Sequence, residues 1–364
     1  MKNFFKLKLL LIICTSFLFC SGVNDSLSED SILIQDMGIG WNLGNTFDTK
    51  HRDKTAWGNP LVSQELIDAI YNKGFKTIRI PITWQFNLGE APDYIIDKQY
   101  LNDIEKLVAY ALNKNMFVII NIHHDEDIIK PSYEHLEESL SIISSIWKQV
   151  AHHFKNYNNK LMFECLNEMR IIGSEKEWQG GTKEGRDCIN KFHAEAVYII
   201  RKTKAYNKTR KIIISPYAAS PSQIALDELI LPKDNNLLVA IHNYYPYDFA
   251  LNRQGRSSWG DEQDKIDLDK ELDRICNTLK PLGVPIIMGE WGNIDKNNTE
   301  DRIRHGSYFS NACRARNIVP IWWDNGILKH IPTNEAFGLI NRYSCEWVHK
   351  GIVDAVVGPY KISN

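Results

Sequence analysis

Short apolar runs and longer amphipathic stretches alternate along the chain from residue 32 to residue 360, with no low-complexity tract, Pro-rich linker or charge block between them. The apolar runs predict strands at Met37–Asn42, Thr77–Ile80, Met116–Ile122, Leu161–Leu166, Lys211–Ser215, Leu237–His242, Pro285–Gly289 and Ile318–Trp323. Several are near-continuous (FVIINI, KIIIS, VPIIMG), as in parallel strands covered on both faces; half-exposed antiparallel strands alternate instead. Helical spacing predicts Ser63–Lys73, Leu101–Asn113, Glu134–Phe154, Asp187–Lys204, Lys265–Leu282 and Thr299–Arg316, with a short helix over Ser222–Leu231. Leu101, Ile104, Leu107, Val108 and Leu112 fall on one face of the second helix. Eight strands alternating with helices over ~330 residues predict an α/β fold, a (β/α)8 TIM barrel spanning residues 32–364. A doubly wound open sheet would want a Gly-rich phosphate turn after the first strand. The glycines there (Gly38, Gly40, Gly44) do not make GxGxxG, and no P-loop occurs, so no nucleotide cofactor is expected.

Residues 1–20 stand outside that scheme. Lys2, Lys6 and Lys8 precede an apolar stretch from Leu9 to Phe19, which reads as a secretory signal followed by a short linker over 21–31. The apolar stretch is far shorter than the ~20 residues of a membrane span. Cys20 at its end is a candidate lipid-attachment cysteine, which sets a cell-surface or periplasmic lipoprotein beside a plainly secreted protein. With Cys14 and Cys20 both in the leader, the other five of the seven cysteines are odd in number and irregular in spacing, unlike a disulfide framework. Cys165 and Cys313 are expected to be buried small side chains. With 43 Lys+Arg against 45 Asp+Glu, nothing suggests the basic face of a nucleic-acid binder; a monomer is expected.

In a barrel, chemistry sits where the strands end. The predicted ends carry Asn42, Arg79, Asn121 with His123-His124-Asp125, Asn167-Glu168, His242 with Tyr244, Glu290-Trp291 and Trp323-Asp324. A polar loop cap explains any one of these, but hardly the whole set. Glu168 and Glu290 follow strands four and seven, which face each other across an eight-stranded barrel. Their carboxyl groups are expected at roughly 5–6 Å, the separation of a retaining glycosidase, with one protonated as acid and the other ionised to attack. Arg79 is placed to bond the ionised one and lower its pKa. Glu164, within strand four, is expected to point into the barrel or toward the helices. Adjacent strand residues face opposite ways, so His123 and His124 are not expected to chelate one ion; HExxH is absent and no metal is expected. GxSxG is absent too. Trp41, Trp57, Trp84, Tyr244, Tyr247, Trp291 and Trp323 lie near strand ends, where a ring can stack on the C–H face of a sugar; Trp323 is the foremost candidate.

The run Gly38–Thr46 (GIGWNLGNT) resembles the first-strand motif of glycoside hydrolase family 5, the cellulase family. FKTIRIPITW, NIHHD, FECLNE, His242-x-Tyr244, IIMGEWG and WWDNG resemble its second, third, fourth, sixth, seventh and eighth strand motifs. TAWGNP and YYPYDFAL are further similar to its subfamily 4. Trp291 departs from the family, which more often has Phe there. The resemblance covers roughly residues 32–345 and implies a retaining double displacement without cofactor on β-glucan polysaccharide. It implies Glu168 as acid/base, Glu290 as nucleophile, Arg79 as its support and Asn167 on the 2-hydroxyl. His123, His242 and Tyr244 would shape the subsite before the cleaved bond, with His124 and Asn42 in support and Trp323 as its floor. The expected activity is endo-β-1,4-glucanase, with xyloglucanase, lichenase or xylanase on the same site as the alternative. A non-catalytic glycan-binding surface protein is the alternative of another class.

Overall fold

The computed structural model describes residues 28–331 and 333–361. The leader, Cys20 and residues 21–27 of the linker lie outside the described residues. Eight parallel strands close into a barrel in chain order: β1 (Gly40–Leu43), β2 (Thr77–Ile80), β3 (Phe117–Asn121), β4 (Leu161–Glu164), β5 (Ile212–Ile214), β6 (Leu237–His242), β7 (Ile286–Trp291) and β8 (Ile318–Asp324). Closure is made by β8 on β1, with Gly40 opposite Ile321 and Leu43 opposite Asp324. Nearly every strand residue is buried, which accounts for the unbroken apolar runs.

Two apolar bodies hold the barrel. Between strands and helices lies the larger, which includes Ile78, Ile120, Phe163, Trp147 and Leu272. The smaller joins Ile119, Met162, Ile213, Leu238, Ile287 and Ile321 of the strands to Ile34 and Met37. Those two residues belong to a helix over Glu29–Met37, capped by the Ser28 hydroxyl. The pattern did not predict this helix; it takes in the last residues of the expected linker and the first of the expected strand one.

The predicted helices are present, and three of them start earlier than predicted for one reason. A helix starts at its capping side chain, which lies upstream of the first periodic apolar residue. Asp97 accepts from Tyr100 N and starts Lys98–Asn113; Thr182 accepts from Gly185 N and starts Lys183–Lys202; Asp261 accepts from Asp264 N and starts Glu262–Leu279. The short helix shrinks to Gln223–Asp227. Beyond β8, a two-stranded pair (Ile340–Asn341 with Glu346–Trp347) and a helix over Lys350–Val357 were not predicted. Among the described residues all five cysteines are free, with Cys165 and Cys313 buried. No helix among them is long and apolar enough to cross a membrane.

Candidate active site

Arg79 on β2 organises the C-terminal mouth. Its Nε and Nη2 donate to the two oxygens of Glu164 on β4 (2.6 and 2.9 Å). Its Nη1 donates to Asn42 Oδ1 and to Glu290 Oε1, both at 2.9 Å, and Nη2 also donates to Asn167 Oδ1 at 2.7 Å. A guanidinium has five N–H donors, and here each has an acceptor. Arg79 and Glu164 side chains are each only 1% exposed, so the orientation of this cation is over-determined. Glu164 points into the barrel, one of the two directions expected for it. Asn42, wholly buried, spends its amide on the carbonyls of Gly289 and Ile321 (2.9 and 3.1 Å). It holds Arg79 and the β7–β8 backbone and does not face the cleft.

Glu290 lies within β7, not after it. The sequence reading ended the strand at Gly289, but an extra residue in β7 shifts its register against both β6 and β8. Such a bulge re-aims side chains. It turns Glu290 onto Arg79 and lets Trp291 pack outward, stacked on Phe309 at 4.4 Å. Gly289 lets His242 approach the bulge closely: a Cβ there would stand 3.0 Å from His242 Nε2, and the ring would have to give by a few tenths of an ångström. Glu290 Oε2 accepts from the Tyr244 hydroxyl at 2.9 Å. Glu168 sits in the loop after β4, with Oε1 2.7 Å from His242 Nδ1. His242 Nδ1 is also 3.7 Å from Glu290 Oε2. Glu168, His242 and Glu290 each present an atom within 4.8 Å of the others, a close approach of the two carboxylates that suits the shorter retaining separation and not the inverting one.

The charges are arranged unequally. Burial raises Glu290 above the ordinary glutamate value of 4.5, against the opposing pull of His242 and Arg79. Arg79 makes the expected bond and pulls Glu290 down, but desolvation outweighs that pull. Burial would also raise Glu168, but the His242 hydrogen bond and charge, with Arg170 and His124, bring it below its ordinary value. Burial would lower His242, but the two carboxylates raise it above 6.5. A proton is thus held on the short His242–Glu168 bond while Glu290 stands between a guanidinium and a phenol. The kcat/KM profile should accordingly have its acid limb above pH 4.5, where Glu290 ionises, and its alkaline limb above pH 6.5, where the His242–Glu168 proton is lost. A profile flat from pH 4 to 9 would contradict this arrangement.

Around the pair, His123 is buried and stacked parallel to Trp323, 6.0 Å apart at 5°. Its Nε2 lies 3.4 Å from Asn167 Nδ2. His124 is half-buried, with Trp57 6.1 Å away. Trp323 is half-buried at the end of β8, free to offer a face, and Trp57 and Tyr247 are exposed (40% and 62%). Trp41, Trp84 and Trp291 are core residues, 0–1% exposed, so three of the seven candidate stacking rings are excluded.

The two histidines do not point apart. They lie beyond the end of β3, where strand alternation no longer applies, and their rings are 4.3 Å apart. With Asp48 they present atoms within 4.8 Å of one another. The Asp48 oxygens are occupied by the amides of Asn45 and Thr46 (2.8 and 2.6 Å), and Arg79 stands against Glu290 in the other trio, so neither donor set suits a cation.

The reading also missed Glu126 and Arg170. Glu126 Oε1 accepts from Arg170 Nη1 at 2.9 Å, and His124 Nδ1 lies 3.3 Å from it. The one signal available was an acid two residues beyond the histidine pair, in HHDE, and an arginine two beyond Glu168, in NEMR.

A closed barrel with two carboxylates facing across its C-terminal mouth, one clamped by arginine and tyrosine and one by histidine, defines the class of glycoside hydrolase barrels. The chain belongs to glycosyl hydrolase family 5, the cellulase family, whose model matches residues 37–328. It is 40% identical over 337 residues to Cellulase/esterase CelE of Acetivibrio thermocellus, covering 92% of this chain and 41% of that protein; the chain therefore spans less than half of that relative's length. The solved structure of ZgEngAGH5_4 in complex with a cellotriose is 44% identical, with a TM-score of 0.87 over 90% of this chain and 98% of that one. A GH5-4 broad specificity endoglucanase from Clostridium acetobutylicum is 39% identical, with a TM-score of 0.88 over 90% and 99%.

Proposed function

We propose that the chain is a retaining endo-β-1,4-glucanase acting on cellulose-type and related β-glucans. The observation that carries this is the unequal bonding of two carboxylates whose nearest atoms lie within 4.8 Å. Glu290, aligned by Arg79 and Tyr244, attacks the anomeric carbon. Glu168 gives the proton held on its bond with His242 to the glycosidic oxygen, and the aglycone leaves. A water then loses a proton to Glu168 and attacks the same carbon, releasing Glu290. Asn167 and His123, buried beside the pair, are assigned to the sugar hydroxyls of the subsite before the cleaved bond, with Trp323 as its stacking face and His124 at its edge.

A β-1,4-glucan is favoured because the neighbours include a protein solved with cellotriose and one named for broad specificity. Residues 1–20 are assigned to a secretory leader, with the barrel as the unit that acts on extracellular polysaccharide.

The test is a product profile on carboxymethyl cellulose, barley glucan, xyloglucan, xylan and mannan, with NMR of the first-formed product. Release of oligosaccharides from the glucans with the β anomer formed first is expected. An α anomer, or activity confined to mannan, would overturn the reading.

A further inference from the structure

The mechanism above leaves one buried charge cluster at the mouth unused. Glu126, its side chain 1% exposed, gathers three cations: Arg170 at 2.9 Å, His124 at 3.3 Å and Lys50 at 3.4 Å. Arg170 is the member that reaches the acid. Its Nη1 donates both to Glu126 Oε1 (2.9 Å) and to the backbone carbonyl of Glu168 (3.0 Å). Its Nε donates to Glu177 Oε1 at 2.9 Å, and the indole of Trp178 covers the guanidinium at 4.3 Å. The two hydrogens of one planar nitrogen are thus divided between Glu126 and the peptide that carries Glu168.

That peptide needs a clamp. β4 ends at Glu164, and barrel-type backbone bonds run on to Asn167, whose N donates to Ile122 O at 2.8 Å; Glu168 follows in the loop, whereas Glu290 sits on a strand. A misplacement of about 1 Å in a reacting group can cost on the order of 100-fold in rate. We propose that Glu126 and Arg170 are positioning residues for the general acid: Glu126 fixes the plane of Arg170, and Arg170 fixes the peptide from which Glu168 reaches the glycosidic oxygen. The inference rests on the assignment of Glu168 as the acid. Its charge state fits the role: burial would raise Glu126, but His124 and Arg170 hold it down at about 2, so the anion persists across the working range.

A merely structural brace would lower all activity together, whereas a brace for the acid matters only where the leaving group needs a proton. The experiment compares kcat/KM of Glu126→Gln and Arg170→Lys on cellotetraose and on 2,4-dinitrophenyl β-cellobioside, whose phenolate departs unprotonated. Both variants should lose about 10- to 100-fold on cellotetraose and stay within about twofold of wild type on the dinitrophenyl substrate. In Glu126→Gln the alkaline limb on cellotetraose should also move to lower pH. Glu168 is faced by His242 at the end of β6 and Tyr244 beyond it, Glu290 on β7, His124 and Glu126 beyond β3, and Arg170 in its own loop. Removing the Glu126 anion leaves Arg170 less neutralised and favours ionised Glu168. Equal losses on both substrates, or no loss on cellotetraose, would overturn the proposal. Should Glu126→Gln not fold, Arg170→Lys, which keeps the charge at a half-buried position, gives the same contrast. Glu168→Gln is the control. If it too fails to spare the dinitrophenyl substrate, the acid assignment falls; if it spares that substrate and the other two do not, the positioning role alone falls.

Discussion

Glu290→Gln should abolish turnover, by about 10⁴-fold or more, while cellotetraose binding stays within a few-fold of wild type. The amide keeps the shape: its oxygen can accept from Arg79 Nη1 while its NH2 donates to the Tyr244 oxygen, the two partners standing 2.9 Å from the carboxylate oxygens it replaces. It cannot form a glycosyl ester, so a step that no neighbouring group replaces is lost. Stability should move the other way. Burial raises Glu290 above its ordinary value, so its ionised form is disfavoured by folding. A neutral side chain removes that penalty at pH 7, and the variant should melt at or above the wild-type temperature. Kinetics, calorimetric binding and a thermal scan check the three parts. Full activity in the variant would remove Glu290 from the reaction.

Arg79→Met should have the largest effect on stability, a loss of about 3–5 kcal/mol, because breaking a buried pair strands the partner charge. Here two carboxylates are stranded, Glu164 at 1% and Glu290 at 7% side-chain exposure. Asn42 and Asn167 each lose the donor to Oδ1 as well. Without the cation Glu290 takes up a proton more readily. The deficit, read from urea unfolding, should therefore shrink as pH falls from 7 toward 4, and activity should vanish at any pH where the variant is folded. A loss below about 1 kcal/mol at pH 7 would show that the five bonds of Arg79 are not what holds the site.

The barrel was legible because its strands are covered on both faces, and that burial writes itself into runs such as FVIIN and III. The pair proposed to react stood out in the sequence because a carboxylate directly after an apolar run has no structural need to be there. The β7 bulge was not, since the extra residue is a glycine within an otherwise regular run, and only pairing with both neighbours shows it. The helix Glu29–Met37 has only a short apolar face: Ile34 and Met37 are its two buried residues, with Leu33 partly buried beside them. Glu126 and Arg170 look like loop charges in the sequence. Their meaning comes from meeting across 44 positions, which spacing along one chain does not encode. Trp41, Trp84 and Trp291 failed as binding rings for the converse reason. Being near a strand end does not say which face a ring takes, and these three turned into the core.

The central claim is that Glu290 forms a covalent bond to the sugar while Glu168 moves protons. The most direct test is incubation with 2,4-dinitrophenyl 2-deoxy-2-fluoro-β-cellobioside, whose fluorine slows release of the intermediate, followed by mass spectrometry of the intact protein and its peptides. One fluorocellobiosyl group per chain, on the peptide that contains Glu290, is the predicted result. An active enzyme that gathers no label, or a label on Glu168, would contradict it.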